Sequence, residues 1–177
     1  MSHISLPEQV PGLIALAQQY PDTAGPLFML AEAVLRGPSP LTAGERELIA
    51  SYVSERNESL FCTESHRATA RFLLPDPGLI DRIGGPEGTQ AAGEKLAALL
   101  AIADAVAQGG TCVTPALMDR ARQAGADERT LHDTVLTAAI MCMYNRYVDG
   151  LGAWAPEDPN HYTAIGESLG SVGYTPR

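Results

Sequence analysis

The sequence predicts an all-α protein, a compact bundle of six or more helices. Strand signals are nearly absent, because no run of alternating apolar and polar residues extends beyond a few positions. Helix starts and stops are frequent instead, as capping residues, prolines at first helical positions and glycines at helix ends. The length of 177 residues favours one domain over 1–177, with a lead-in over 1–20 and a Pro/Gly-rich tail over 155–177.

The first two predicted helices have clear start and stop signals. One takes Asp22 as its N-cap, carries apolar residues at the spacing of one helix face, and stops at Gly37 and Pro38. The next begins at Thr42 and Glu45, which form a capping box because each side chain can satisfy a free backbone N–H of the other.

A short connection links this second helix to a third. Asn57 is predicted to end the second helix in a left-handed conformation. Ser59 is predicted to cap the next helix, which places Cys62 at its third helical position.

The second half of the chain predicts three long helical segments and one short one. A long Ala/Leu helix occupies 89–110, and the next helix runs from a cap at Thr114 to a stop at Gly125. The longest helix has Asp127 as its cap and an apolar middle that indicates burial. The tail is expected to hold one short helix around 160–170.

Charge and composition exclude several functional classes. There are 12 Lys and Arg against 21 Asp and Glu, a formal net charge of -9, so the chain lacks the basic face that nucleic acids or anionic membranes require. No apolar segment is long enough to span a bilayer and no signal peptide is visible, so we expect a cytoplasmic protein. The three cysteines do not form a disulfide framework, and no cofactor motif is visible.

The candidate site centres on Cys62 and His66. Residues four apart share one helix face, so the thiol and the imidazole can touch. A helix N-terminus and a nearby histidine both lower the pKa of a thiol, whereas the acidic neighbours Glu58 and Glu64 raise it. The sequence therefore predicts either a reactive thiol or, on the simplest structural interpretation, a small buried hydrophobic residue.

Glu47 lies 15 residues before Cys62, one helix earlier. If the two helices form an antiparallel hairpin, Glu47 can orient His66, which can then take the thiol proton. The alternative is that Glu47, Cys62 and His66 bind zinc, although a structural zinc site needs a fourth protein ligand.

The remaining cysteines and histidines have weaker functional signals. Cys142 lies in the most apolar helix and is predicted to pack in the core, whereas Cys112 follows two glycines and has no histidine near it in sequence. His132 and His161 are predicted to be exposed to solvent.

The run LTAGERELIASYVSERNESLFCTESH resembles the core of the alkyl hydroperoxidase D-like proteins in the carboxymuconolactone decarboxylase superfamily, and is most similar to the peroxidase-related enzyme branch. The residues in register with that core are Leu41, Thr42, Glu45, Arg46, Glu47, Asn57, Cys62 and His66. The segments GPLFMLAEAVLRGPSP, YNRYVDGLG and PEDPNHY also resemble this branch, so the likeness covers nearly the whole chain.

The resemblance implies an all-helical fold that assembles as a homo-oligomer: a dimer, trimer or hexamer. It implies reduction of a hydroperoxide substrate with an external thiol reductant, and neither a metal nor another cofactor. In this assignment Cys62 is the peroxidatic cysteine, His66 belongs to the proton relay and Glu47 is the relay carboxylate.

One departure from the family pattern is important, because Ser59 stands where the family has the first cysteine of a Cys-x-x-Cys pair. Three routes remain: an outside thiol resolves oxidised Cys62, Cys112 or Cys142 does so, or the peroxidase cycle is lost and the fold is kept. Ser59 can still cap the helix and donate a hydrogen bond to the Cys62 thiolate.

Two other functions are carried as alternatives. One is a non-enzymatic helical oligomer, acting as a redox sensor or binding module, in which Cys62 is no more reactive than free cysteine. The other is decarboxylation or ring opening of a small lactone acid. That reaction is disfavoured because the sequence has no basic cluster to hold a dicarboxylate.

Overall fold

A computed structural model describes residues 2–175. It contains helices and no strands within that range, which confirms the all-α prediction. The α-helices are α1 (Gly12–Gln19), α2 (Pro21–Leu35), α3 (Ala43–Arg56), α4 (Leu60–Leu73), α5 (Leu79–Gly84), α6 (Gly93–Gln108), α7 (Pro115–Gln123), α8 (Glu128–Gly150) and α9 (Asn160–Val172). Short 3₁₀ turns cover Gly88–Ala92 and Gly110–Cys112.

Helix α3 occupies the centre of the fold and packs against α4, α6 and α8. Its middle is buried on all sides, including the apolar residues Leu48, Ile49 and Val53. Helix α6 contributes a second apolar layer against α8. No helix in residues 2–175 combines the length and the apolar character that crossing a bilayer would need.

Several predicted helix boundaries are confirmed by the cap geometry. Thr42 Oγ1 accepts from the Glu45 backbone N–H at 3.2 Å, and the Glu45 carboxylate accepts from the Thr42 backbone N–H at 2.7 Å. The side chain of Asp127 caps α8 through the Thr130 N–H at 2.7 Å, and Thr114 caps α7. Each bond satisfies a backbone donor that the helix cannot satisfy internally.

Two boundary predictions are wrong. Helix α2 begins at Pro21, because proline is already set to helical φ at a first position, so Asp22 lies in the first turn and is not the cap. The left-handed residue after α3 is Glu58, with φ 58°, whereas Asn57 has φ −87°. The Asn57 side chain instead donates to Asn145 Oδ1 at 2.9 Å.

The tail and the lead-in are more ordered than the sequence indicated. The short helix expected around 160–170 is confirmed as α9, which packs along α4. Helices α1 and α5 were not predicted, and the 89–110 helix is a 3₁₀ turn followed by α6.

A glycine permits the close approach of α9 to α4. A Cβ built on Gly166 would lie 2.6 Å from the Ala68 carbonyl carbon, closer than real Cβ contacts come. We therefore expect Gly166→Ala to lower the free energy of unfolding by about 1–3 kcal/mol, measured by urea denaturation.

Gly150→Ala is the matched control, because Gly150 is the last residue of α8 and a Cβ there meets nothing within 4 Å. Helix propensity alone predicts that it raises stability by roughly 0.5–1 kcal/mol. Equal effects of the two substitutions would contradict the packing of α9 on α4.

Candidate functional site

Helices α3 and α4 form the predicted antiparallel hairpin. Residues 57–59 join them, and the chain reversal brings the first half of α3 beside the middle of α4. Glu47 Oε2 lies 2.6 Å from His66 Nδ1, although the two residues are 19 positions apart in sequence. The predicted contact between Glu47 and His66 is therefore present.

Glu47 is fully buried and has three polar partners. Besides His66, its carboxylate pairs with Arg36 Nη1 at 2.6 Å and accepts a hydrogen bond from the Tyr174 hydroxyl at 2.8 Å. Burial by itself raises the pKa of Glu47, but the interactions with His66, Arg36 and Tyr174 outweigh burial and hold that pKa below its ordinary value. Glu47 is therefore a carboxylate.

Because Glu47 is ionised, it determines which ring nitrogen of His66 carries the proton. An ionised carboxylate only accepts hydrogen bonds, so Nδ1 of His66 must carry the proton in its contact with Glu47. In the neutral ring, Nε2 is then the acceptor, and it makes no hydrogen bond to any residue in the described range. His66 is thus held with one nitrogen available for a proton.

Cys62 is the third residue of α4, as predicted, and is 4% exposed. The sequence left the direction of the thiol pKa open, and burial raises the pKa of Cys62 from 9.0 to about 11. The nearby polar side chains of Ser59 and Asn145 oppose the rise, and the nearby charge of Asp149 adds to it. Loss of water around the sulfur outweighs the favourable helix N-terminus.

Ser59 occupies the N-cap position of α4 without capping it. Its side chain makes no hydrogen bond to the first turn, and the buried Oγ makes no hydrogen bond of full geometry within residues 2–175. Burial raises the pKa of both Cys62 and Asp149, and Ser59 lies close enough to both groups to oppose that rise. The predicted proximity of Ser59 to the thiol is therefore present, whereas the predicted cap bond is not.

Cys62 and His66 line one apolar cavity of about 320 Å³ between α1, α2, α4, α8 and α9. At ~30 Å³ per molecule this space could hold about ten waters, and it lies in the size range of small-molecule sites. Its apolar lining is Leu13, Ile14, Phe28, Ala31, Leu35, Phe61, Met141, Ala164, Ile165 and Leu169.

The structure is similar to two solved proteins. The first is an alkylhydroperoxidase AhpD core, an uncharacterized peroxidase-related protein from Ralstonia eutropha JMP134. It is 22% identical, and the match covers 95% of this chain and 83% of that one, with a TM-score of 0.74. The second is an uncharacterized peroxidase-related protein from Silicibacter sp. TM1040. It is 20% identical, covering 84% of this chain and 78% of that one, with a TM-score of 0.74.

The chain has the alkylhydroperoxidase D-like fold. The fold that the sequence resemblance implied is thereby confirmed. No protein-family model and no curated protein matches the sequence.

In this alkylhydroperoxidase D-like chain the other two thiols lie away from the cavity. Cys112 is exposed in a 3₁₀ turn, and Cys142 is half-buried on α8, where its sulfur accepts a 3.5 Å hydrogen bond from Asn57. Both are free, as is Cys62, and neither lines the cavity. His132 and His161 are exposed, as predicted.

The zinc alternative is not supported. Nowhere in residues 2–175 do three or more His, Cys, Asp or Glu side chains form a group that could hold a metal ion. Glu47 is already engaged by Arg36, His66 and Tyr174.

Sequence reasoning missed four residues around the site: Arg36, Asn145, Asp149 and Tyr174. Three of them lie in segments that resemble the peroxidase-related branch, Arg36 in GPLFMLAEAVLRGPSP and Asn145 and Asp149 in YNRYVDGLG, so that likeness was an available signal. Tyr174 had no signal, because its contact with Glu47 spans 127 residues.

Proposed function

We propose that the chain is a peroxidase-like oxidoreductase that reduces hydroperoxides through Cys62, with His66 and Glu47 as the proton relay. The observation that carries the proposal is the arrangement at α4. Cys62 and His66 line the same apolar cavity, and a buried carboxylate holds His66 with Nε2 free to accept a proton. The fold shared with peroxidase-related proteins supports it.

The proton relay compensates for the low ionisation of the buried Cys62 thiol. With a pKa of about 11, only about one Cys62 in ten thousand is ionised at pH 7 without help. His66 lines the same cavity as the thiol but makes no hydrogen bond to Cys62 within the described residues, so the sequence-predicted contact of thiol and imidazole is not present before substrate binds. The proton passes to His66 through one water or on closer approach as the sulfur attacks, so the thiolate need not accumulate. His66 is the base, and Glu47 stabilises the imidazolium that forms.

The first half of the proposed reaction oxidises Cys62 and reduces the hydroperoxide. Cys62 transfers its proton to His66, and its sulfur attacks the terminal oxygen of the hydroperoxide. An S–O bond forms while the O–O bond breaks; sulfur is oxidised to the sulfenic acid and the peroxide is reduced. The alkoxide leaves and takes the proton from His66 as the alcohol.

An external thiol completes the cycle. Ser59 cannot form a disulfide, and neither Cys112 nor Cys142 lines the cavity. A first external thiol condenses with the sulfenic acid to a mixed disulfide and water. A second external thiol then releases reduced Cys62 and leaves as the oxidised disulfide.

The test is brief treatment of reduced protein with stoichiometric cumene hydroperoxide in the presence of a sulfenic-acid trap, followed by peptide mass spectrometry. We expect rapid labelling of Cys62 alone, with exposed Cys112 as the internal reference. A Cys62 disulfide with Cys112 or Cys142 would replace the external thiol in the proposal with that residue. Slower labelling of Cys62 than of Cys112 would refute the peroxidase.

One observation favours a second candidate, a non-enzymatic module that binds apolar ligands. The raised pKa of Cys62 makes it less ionised than an ordinary thiol, as that alternative requires. It predicts ligand binding in the cavity without oxidation of Cys62. A lactone decarboxylase has no comparable support, because no Lys or Arg among residues 2–175 lines the cavity.

A further inference from the structure

Ser65 is a cavity residue that the proposed proton relay does not use. It lies on α4 between Cys62 and His66, lines the same cavity and is 4% exposed. Its hydroxyl Oγ is buried and makes no hydrogen bond within the described residues. An unpaired buried hydroxyl is costly, so its retention beside the thiol needs an explanation.

Three other buried hydroxyls, one each in α3, α4 and α8, do have a partner. Thr69 donates to the Ser65 carbonyl at 2.8 Å, Ser54 to the Ala50 carbonyl at 2.8 Å, and Thr134 to the Thr130 carbonyl at 2.8 Å. This bond to the carbonyl four residues earlier is the usual solution for a hydroxyl inside a helix. Ser65 does not make it, so no protein partner holds its hydroxyl in place. Because the Oγ has almost no accessible surface, a rotation of the Ser65 side chain toward the cavity is what brings its hydrogen to a ligand.

The other hydroxyls around the cavity are less suited to this role. The Tyr144 hydroxyl donates to the Leu27 carbonyl at 2.7 Å, and the Tyr174 hydroxyl donates to Glu47. Ser168 is exposed to solvent. Ser65 is therefore the buried hydroxyl whose hydrogen is free, and it is next to the reacting groups.

The lining also restricts the charge of the ligand. Among the residues that the structure describes, no Asp, Glu, Lys or Arg lines the cavity, and most of the lining is aliphatic or aromatic. A carboxylate or an ammonium group would lose its hydration there without an ion partner. The cavity therefore suits an uncharged apolar molecule with one oxygen group directed at α4.

We propose that Ser65 binds the oxygen group of an uncharged, bulky apolar ligand, the organic hydroperoxide and its alcohol product in the proposed reaction. The substrate assignment rests on the proposed function, whereas the binding site does not. As the O–O bond breaks, Ser65 donates its hydrogen bond to the oxygen attached to carbon. That oxygen gains negative charge and leaves as the alcohol, with the proton coming from His66.

The experiment measures binding without turnover. Reduced wild-type protein and Ser65→Ala are titrated with 2-phenyl-2-propanol and with cumene, which has the same ring and branch but no oxygen. We expect Ser65→Ala to weaken alcohol binding about fivefold, the equivalent of ~1 kcal/mol for one hydrogen bond, and to leave cumene binding unchanged.

Thr137→Val is the matched control. Thr137 also has a buried hydroxyl without a partner, but it lies on α8 and does not line the cavity. We expect no effect on either ligand. Ser65→Ala should unfold at no lower urea concentration than wild type, because alanine removes an unpaired hydroxyl and favours the helix.

Several results would overturn the role of Ser65 or the proposed peroxidase activity. Equal weakening of alcohol and cumene, or no alcohol binding by wild type, would overturn the role of Ser65. A Ser65→Ala variant that unfolds much more easily would also overturn it, since the hydroxyl would then have a structural partner. Binding that depends on Ser65 without trapping of sulfenic acid at Cys62 would refute the peroxidase alone; the reverse result would refute this inference alone.

Discussion

A Cys62→Ala variant is expected to lose all measurable reduction of cumene hydroperoxide while it stays folded. The sulfur is the atom that would accept oxygen, and no other thiol lines the cavity to replace it. Alanine removes one small buried group, which costs on the order of 1 kcal/mol, well below the stability of a typical domain. The measurement is peroxide consumption with dithiothreitol as reductant, beside a urea unfolding curve.

Cys112→Ala and Cys142→Ala are the controls for this variant. Cys112 is exposed, and Cys142 faces Asn57. With an external reductant, both variants should consume peroxide at the wild-type rate. Full activity of Cys62→Ala would refute the assignment, and loss of activity in Cys142→Ala would make Cys142 part of the cycle.

Glu47→Gln is expected to reduce both stability and turnover. Glutamine has the same shape but no charge, so Arg36 loses its ion partner in a nearly dry position. Breaking a buried pair in this way costs about 3 kcal/mol. His66 also loses the carboxylate that orients it, and we expect turnover to fall by about 10²-fold or more.

The loss of stability in Glu47→Gln is expected to depend on pH. Because the pKa of Glu47 is lowered in the folded protein, its stabilisation is present above the ordinary value of 4.5 and is lost as pH falls through the folded pKa. The difference in stability between wild type and Glu47→Gln should therefore be full at pH 7 and shrink below pH 4.5. Urea unfolding across that range measures it.

Glu55→Gln is the matched control, on the same helix. Glu55 forms an ion pair with Arg67 at 2.6 Å, but its side chain is 47% exposed. A surface pair of this kind contributes only about 0–1 kcal/mol, so the variant should resemble wild type. Equal effects of the two substitutions would show that burial of the Glu47 network is not important.

Local sequence was sufficient where the deciding contacts are local. The capping box of Thr42 and Glu45 and the cap at Asp127 involve residues three apart, so spacing alone predicts them. Where two local signals compete, as proline and aspartate do at the start of α2, the sequence did not show which would prevail.

The pairing of Glu47 with His66 was within reach of the sequence, because the short connection at 57–59 favours an antiparallel hairpin. The environment of Cys62 could not be predicted from the sequence. Whether its thiol pKa is lowered or raised depends on how much water the surrounding helices exclude, and the burial of Cys62 in the packed structure decides in favour of a rise to about 11.

The sequence by itself determined an all-α chain, most of its helix boundaries, and the placement of Cys62 and His66 on one face of α4, since these follow from contacts within a few residues. Only the tertiary structure decided the rest of the site. Glu47 is contacted from distant segments by Arg36 and Tyr174, and Asn145 lies near Cys62. The unpaired hydroxyl of Ser65 can be related to a ligand only because α1, α2, α8 and α9 form a cavity beside it. Burial and long-range contacts arise when helices pack, and neither is encoded in the spacing of residues along one helix.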